Sequence, residues 1–293
     1  MTRYERCGLW AAVILFSAGG CSDQSAPADT GGLTDAALVD TVFGDPRVSA
    51  PPPPPDKSLT LSEYVEGGLP APDRIWSGAD LARAAAALTR IAQTDASRLP
   101  RYRSDRSGKA FARLTADENL DIYRDPSLPL DQRFPEALTY IQSTNELLKL
   151  YLAALNQGAV GGGELVEFLG AQLRASVVML GLVDEFLPTL DKEDPTYPVR
   201  MAGLQRMKSG LSSVVAGGLQ TLSESNAYRT ADLKRLVGYM EDTFPEILPK
   251  IGELSRTETL IRVRTLRDDP RMKHLRPELD ALASTVEESV AGG

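Results

Sequence analysis

The feature that most constrains this chain is a set of apolar stripes spaced three and four residues apart, recurring from the middle of the sequence almost to its end. Phe134, Leu138, Ile141, Leu148, Leu152 and Leu155 form one, and Leu165, Leu169, Leu173, Val177, Leu180, Val183 and Leu187 form the next. A third carries Leu204, Met207, Leu211, Val214 and Leu222. A fourth runs Leu233, Leu236, Met240, Phe244, Ile247, Ile251, Leu254, and the last holds Met272, Leu275, Leu279, Leu282 and Val286. That spacing places apolar side chains on one face of an α-helix, which must then be covered by another helix. No alternating run of β-branched residues is long enough for a strand. The class is therefore all-α, an antiparallel helical bundle.

Local signals set the ends of these helices. Ser77 stands as N-cap with Asp80 at N3, and Trp76 and Leu81 take the two positions of a hydrophobic staple, so a helix should run from there to about Thr94. Pro135 suits a first helical turn, Gly158 a stop and Pro198 another start. Pro188, Pro245 and Pro249 each remove a helical donor and should bend or end their helices. Glu185-Phe186-Leu187-Pro188 is echoed by Glu246-Ile247-Leu248-Pro249, and Arg206-Met207-Lys208 by Arg271-Met272-Lys273. Either residues 162–225 and 229–290 are duplicated hairpins, or helical composition has repeated itself by coincidence.

The first 57 residues are of another kind. Arg3 and Arg6 precede the apolar run Leu9–Phe16, which is too short for a permanent membrane span, and Ala18-Gly19-Gly20-Cys21 follows. This stretch resembles the bacterial lipoprotein signal peptide, although Ala18 stands where Leu is most common. The resemblance implies that residues 1–20 are cleaved, that Cys21 carries diacylglycerol and an amide-linked acyl chain such as palmitate, and that the protein is held at a membrane of the cell envelope. Ser22 after the cysteine, with Asp23 one further on, favours the outer membrane facing the periplasm over the inner membrane. Residues 22–57 are rich in Ser, Asp, Gly and Pro and include Pro51–Pro55. Such composition reads as a disordered Pro-rich tether, apart from a possible helical turn or two at Thr34–Phe43. The domain plan is thus a signal peptide at 1–20, lipidated Cys21 with its linker at 21–57, and an all-helical domain at 58–293.

Composition removes most chemistry. One histidine and two cysteines, one of them in the leader, leave no ligands for a Cys/His zinc site, no disulfide framework and no two-histidine centre. The formal charge is -8; loss of Arg3, Arg6 and Glu5 with the leader takes it to about -9, which argues against nucleic acid as a partner. His274 lies among cations and reads as a solvent-facing side chain. Paired carboxylates (Asp117, Glu118 and Asp121; Asp184 and Glu185; Asp191, Glu193 and Asp194) read as helix-start charges or solvated faces, and the last group lacks an EF-hand's glycine and ligand alternation. Gly161-Gly162-Gly163-Glu164 lacks a P-loop lysine and reads as a flexible turn. Asn145 reads as a register-setting polar residue within the core. No catalytic residue, metal ligand or cofactor site is assigned.

One asymmetry carries a functional expectation. Arg98, Arg101, Arg103, Arg106, Lys109 and Arg113 crowd one segment against Asp105 alone, with Tyr102 and Phe111 between them; Arg256–Arg276 is a second basic stretch. These cations either face an anionic envelope partner, such as a lipid headgroup or an acidic protein, or neutralise the chain's own acidic helices. The sequence supports a non-enzymatic, membrane-anchored lipoprotein with a binding or scaffolding body. A carrier of an apolar ligand or lipid in a helical groove is the alternative, and a carboxylate enzyme a more distant one.

Overall fold

A computed structural model describes residues 54–224 and 228–291. The signal peptide, Cys21, Thr34–Phe43 and most of the tether lie outside the described residues. Within them the protein is all-α, with no strand. Its helices are α1 (Leu61–Glu66), α2 (Gly78–Asp95), α3 (Gly108–Leu114), α4 (Asp121–Arg124), α5 (Leu130–Asn156), α6 (Gly162–Phe186), α7 (Tyr197–Ser223), α8 (Thr230–Ile247), α9 (Glu253–Asp268) and α10 (Arg276–Ala291).

The α2 entry forms as its residues dictate. Ser77 Oγ accepts from the Asp80 N–H at 3.2 Å, and an Asp80 carboxylate oxygen accepts from the Ser77 N–H at 3.2 Å. Trp76 and Leu81 are both fully buried. The Trp76 N–H donates to Asn119 Oδ1 at 2.9 Å and its indole to the Ala71 carbonyl at 2.9 Å, so the staple also fixes the segment on either side. Helix α5 begins at Leu130, earlier than expected, which places Pro135 in its second turn rather than its first. It stops where Gly158 adopts φ of +71°, a left-handed conformation that frees the Gly158 and Ala159 N–H groups to close on the Leu155 and Ala154 carbonyls.

Helix α6 is the axis of the body. It is long and apolar enough to cross a membrane by composition, yet it is a core helix, enclosed mainly by α5 and α8, with α7 beside it. Consecutive long helices run antiparallel, as expected. Because the chain returns through α7 and α9, however, the neighbours α6, α8 and α10 share one direction: Arg235 meets Glu167, Lys250 meets Asp184, and Lys234 meets Glu278.

Two expectations change. The stripe from Leu233 to Leu254 is not one helix. Pro249 cannot donate to the Pro245 carbonyl, so α8 ends at Ile247, a 3-10 turn takes Leu248–Lys250, and α9 starts anew after Gly252. Leu254, counted with the stripe, is 74% exposed. The two sequence echoes meet different structural fates. Leu187-Pro188 and Leu248-Pro249 both end their helices in a 3-10 turn. By contrast, Arg206–Lys208 lies inside α7, whereas Arg271–Lys273 lies in the 3-10 turn Pro270–Leu275. Asn145 is buried, as expected of a core polar position.

The packing of α6 on α8 makes a sharp prediction. A Cβ placed on Gly170 would lie 2.4 Å from the Tyr239 ring, while at Gly181 on the same helix it would meet nothing within 4 Å. Thermal denaturation should show Gly170→Ala destabilised by about 1–3 kcal/mol through overpacking. Gly181→Ala should be stabilised by up to about 1 kcal/mol through helix propensity. Equal shifts for the two variants would contradict the packing described.

Candidate functional site

Among the described residues, the basic segment Arg98–Arg113 carries the main functional expectation of the sequence, and its geometry follows from a series of local bonds. The Asp95 carboxylate accepts from the Ser97 N–H at 2.9 Å and opens a 3-10 turn, Ala96–Arg98. Leu99 is then buried, and the Pro100 carbonyl accepts from the Tyr151 hydroxyl at 2.8 Å. Arg103 takes φ of 58°, and Ser104 Oγ accepts from the Arg106 and Ser107 N–H groups at 3.1 Å each, leading the chain into α3. The end of the tether is bound to this loop. Asp56 accepts from Ser58 and Ser104 hydroxyls, and Ser107 Oγ donates to Ser58 Oγ at 2.8 Å. The body is therefore rooted at Asp56, just ahead of the boundary read from composition.

Arg101 points inward from this loop. It is 6% exposed, its Nε lies 3.0 Å from Glu164 Oε1, and its Nη1 donates to the Ala159 carbonyl at 3.1 Å. Glu164 also accepts from the backbone N–H groups of Tyr102 and Gly161, at 3.0 and 3.1 Å. The triple glycine is accordingly no flexible turn: Gly161 is the N-cap of α6, Gly162 and Gly163 form its first turn, and Glu164 at N3 seals it. A carboxylate at a helix N-terminus also opposes the positive end of the helix dipole.

A second carboxylate one turn on extends the arrangement. Glu167 accepts from Arg235 Nε and from the Tyr239 hydroxyl, both at 2.8 Å, and Arg235 also meets Asp232, which holds Arg229 at 2.9 Å. Tyr102 lies between two guanidinium groups, Arg103 at 4.9 Å and Arg235 at 4.7 Å from its ring centroid. Burial and the adjoining Glu167 push the Tyr239 hydroxyl up to about 12. Arg174 stacks on Tyr239 at 4.9 Å and reaches Asp117 and the Thr115 carbonyl, so α3, α6 and α8 are joined by one continuous polar layer. Sequence reasoning placed Glu164 only in the glycine turn and passed over Glu167. The available signal was two carboxylates in the most apolar helix, flanked by Leu165, Val166, Phe168 and Leu169, which are all buried.

The six cations thus divide. Arg101 is spent within the core on Glu164. Arg113, on the flank of an open recess of about 730 Å³ that Lys109 also lines, donates to the Arg74 carbonyl and pairs with Glu118. Arg98, Arg103, Arg106 and Lys109 form no ion pair among the described residues and remain at the surface, Arg98 partly covered. Carboxylates from elsewhere in the chain interleave with them: Glu63 feels Arg106 and Arg98, and Asp95 feels Lys57 and Arg98. The surface left is mixed in sign, less positive than the linear segment.

The remaining candidates are structural in their placement. His274 is exposed in the 3-10 turn before α10. Asp117 and Asp121 bind Arg124, Asp184 binds Lys250, and Glu185 binds the buried Arg133. Asp191 and Asp194 accept from the backbone of their own loop. Within the second basic stretch, Arg264, Arg267 and Arg271 pair with Glu287, Asp268 and Asp269. Compared with known family models, curated proteins and solved structures, the chain shows no significant match to any of the three.

Two predictions follow from this division of charge. Replacing Arg103 and Arg106 together by Gln should move stability by less than about 1 kcal/mol per site, since both are exposed and form no ion pair among the described residues, and the contact of Arg103 with Tyr102 lies at the surface; a larger loss in a denaturant titration would contradict their placement. Asp56 works in the opposite sense. Burial alone would raise its pKa, but the Ser104 and Ser58 hydroxyls and the Ser58 N–H together hold it below the ordinary 3.8. A depressed folded value stabilises above the unfolded pKa and is lost as pH falls through the folded one. Proteolytic protection of the 54–60 segment should therefore hold at neutral pH and weaken below about pH 4. In Asp56→Asn it should be weak throughout, and a pH-independent wild type would refute the assignment.

Proposed function

We propose that this protein is an envelope lipoprotein whose helical body binds or scaffolds a partner and carries out no chemistry of its own. The observation that carries the reading is the order Arg3, Arg6, Leu9–Phe16, Ala18-Gly19-Gly20-Cys21. Between Cys21 and the root at Asp56 stand residues 22–55, whose contour, at no more than about 3.6 Å per residue, limits how far the body can stand from the lipid. A lipid on Cys21 would hold the body near the membrane by that length.

The interior supports a scaffold over an apolar-ligand carrier. The space between α3, α5 and α6 is filled by Phe111, Tyr151 and Phe168, whose ring centroids lie 4.7 to 5.8 Å apart. A carrier would need that volume open. On this reading the surface cations Arg98, Arg103, Arg106 and Lys109, at the root of the tether, face an anionic component of the envelope.

Cell fractionation with palmitate labelling tests the anchor. Cys21→Ser should lose the label and leave the membrane fraction, and unaltered partitioning would overturn the lipoprotein reading.

A further inference from the structure

The seam between α8 and α10 holds two carboxylate oxygens without a partner among the described residues. Lys234 and Glu241 stand seven positions apart on α8, two turns along and on the same face. That face looks onto α10, because Lys234 Nζ reaches Glu278 Oε1 at 2.5 Å. The other Glu278 oxygen, Oε2, and Glu241 Oε1 are both buried and accept from no donor. A buried carboxylate oxygen with no donor is costly, and a proton on the group removes that cost.

The charges around the pair are few and unequal. On α8, Asp242 adds a second negative charge beside Glu241; on α10, Glu278 opposes it; and His274, in the turn Pro270–Leu275, acts on Glu278 from the other side. Where α8 meets α6, Arg229, Arg235, Asp232 and Glu167 satisfy one another, and Lys250 is taken by Asp184. Lys234 is taken by Glu278, so Glu241 has no ion pair among the described residues. Burial, reinforced by Asp242 and Glu278, pushes Glu241 above the ordinary 4.5, while the bond from Lys234 holds Glu278 below it.

We propose that the α8–α10 seam is a proton-operated latch: α10 docks more firmly when Glu241 carries a proton taken from solvent, and loosens when that proton is lost. The proton forms an O–H bond on the Glu241 carboxyl, neutralises its buried oxygen and removes its opposition to Glu278. Ionised, Glu241 sets an unpaired negative charge against the helix whose Leu279, Leu282 and Val286 are buried in the core. The raised value belongs to the docked state, so the stabilisation is fully present below the unfolded pKa, near 4.5, and is lost as pH rises through the folded one. The latch is independent of the lipid anchor.

Native-state hydrogen exchange on the full chain tests it, with protection of the α10 amides corrected for intrinsic exchange and referred to those of α6, between about pH 4.5 and pH 7.5. In the wild type the relative protection of α10 should fall as pH rises. In Glu241→Gln, an isostere of the protonated acid, it should stay flat and exceed the wild type by at least about twofold at the upper pH. The same pH slope in both proteins, or a Gln variant whose α10 opens more readily at neutral pH, would overturn the proposal. A carbon-13 titration of the Glu241 carboxyl in the unaltered chain provides a second reading that needs no variant: a midpoint above 4.5 is expected, and one at or below 4.5 refutes the latch.

Discussion

The buried pairing of Arg101 with Glu164 is the constraint around which the root of the body is arranged. A carboxylate removed from water is costly unless its oxygens are occupied by donors. Here one oxygen takes Arg101 and the Tyr102 N–H, and the other takes the Gly161 N–H that starts α6. The same side chain therefore caps a helix and fastens a loop from 63 residues earlier in the chain. Glu167 repeats the device one turn on and fixes the register of α8 against α6 through Arg235 and Tyr239.

From that layer the bundle changes character along its length. Helices α6, α8 and α10 all leave the root in one direction, and aromatic and aliphatic packing replaces ion pairs in the interior. The far end finishes in paired Leu-Pro turns, where proline removes the donor that would continue each helix.

Much of this was legible in the chain, in proportion to how local the physics is. The α2 entry is written in Trp76, Ser77, Asp80 and Leu81, the end of α5 in Gly158, and each stripe reports a helix because the period is set by the helix itself. The break between α8 and α9 was harder: Ile251 and Leu254 continue the period across Pro249 and Gly252, and periodicity outweighed the missing donor. Least legible was the fate of the arginines. A run of cations is visible in one dimension, but its partners Glu164, Glu63 and Asp95 are brought in by folding, and nothing local distinguishes Arg101, which turns inward, from Arg103, which stays at the surface. What is read of residues 1–53 rests on their sequence, since they lie outside the described residues.

The most direct measurement of the account is a double-mutant cycle between Arg101 and Glu164, using Arg101→Met, Glu164→Gln and the pair in chemical denaturation. Each single variant strands a buried partner and should lose about 3–5 kcal/mol, while the double variant should cost far less than their sum. Single losses below about 1 kcal/mol with additive behaviour would place Arg101 at the surface and contradict the internal use of the basic segment.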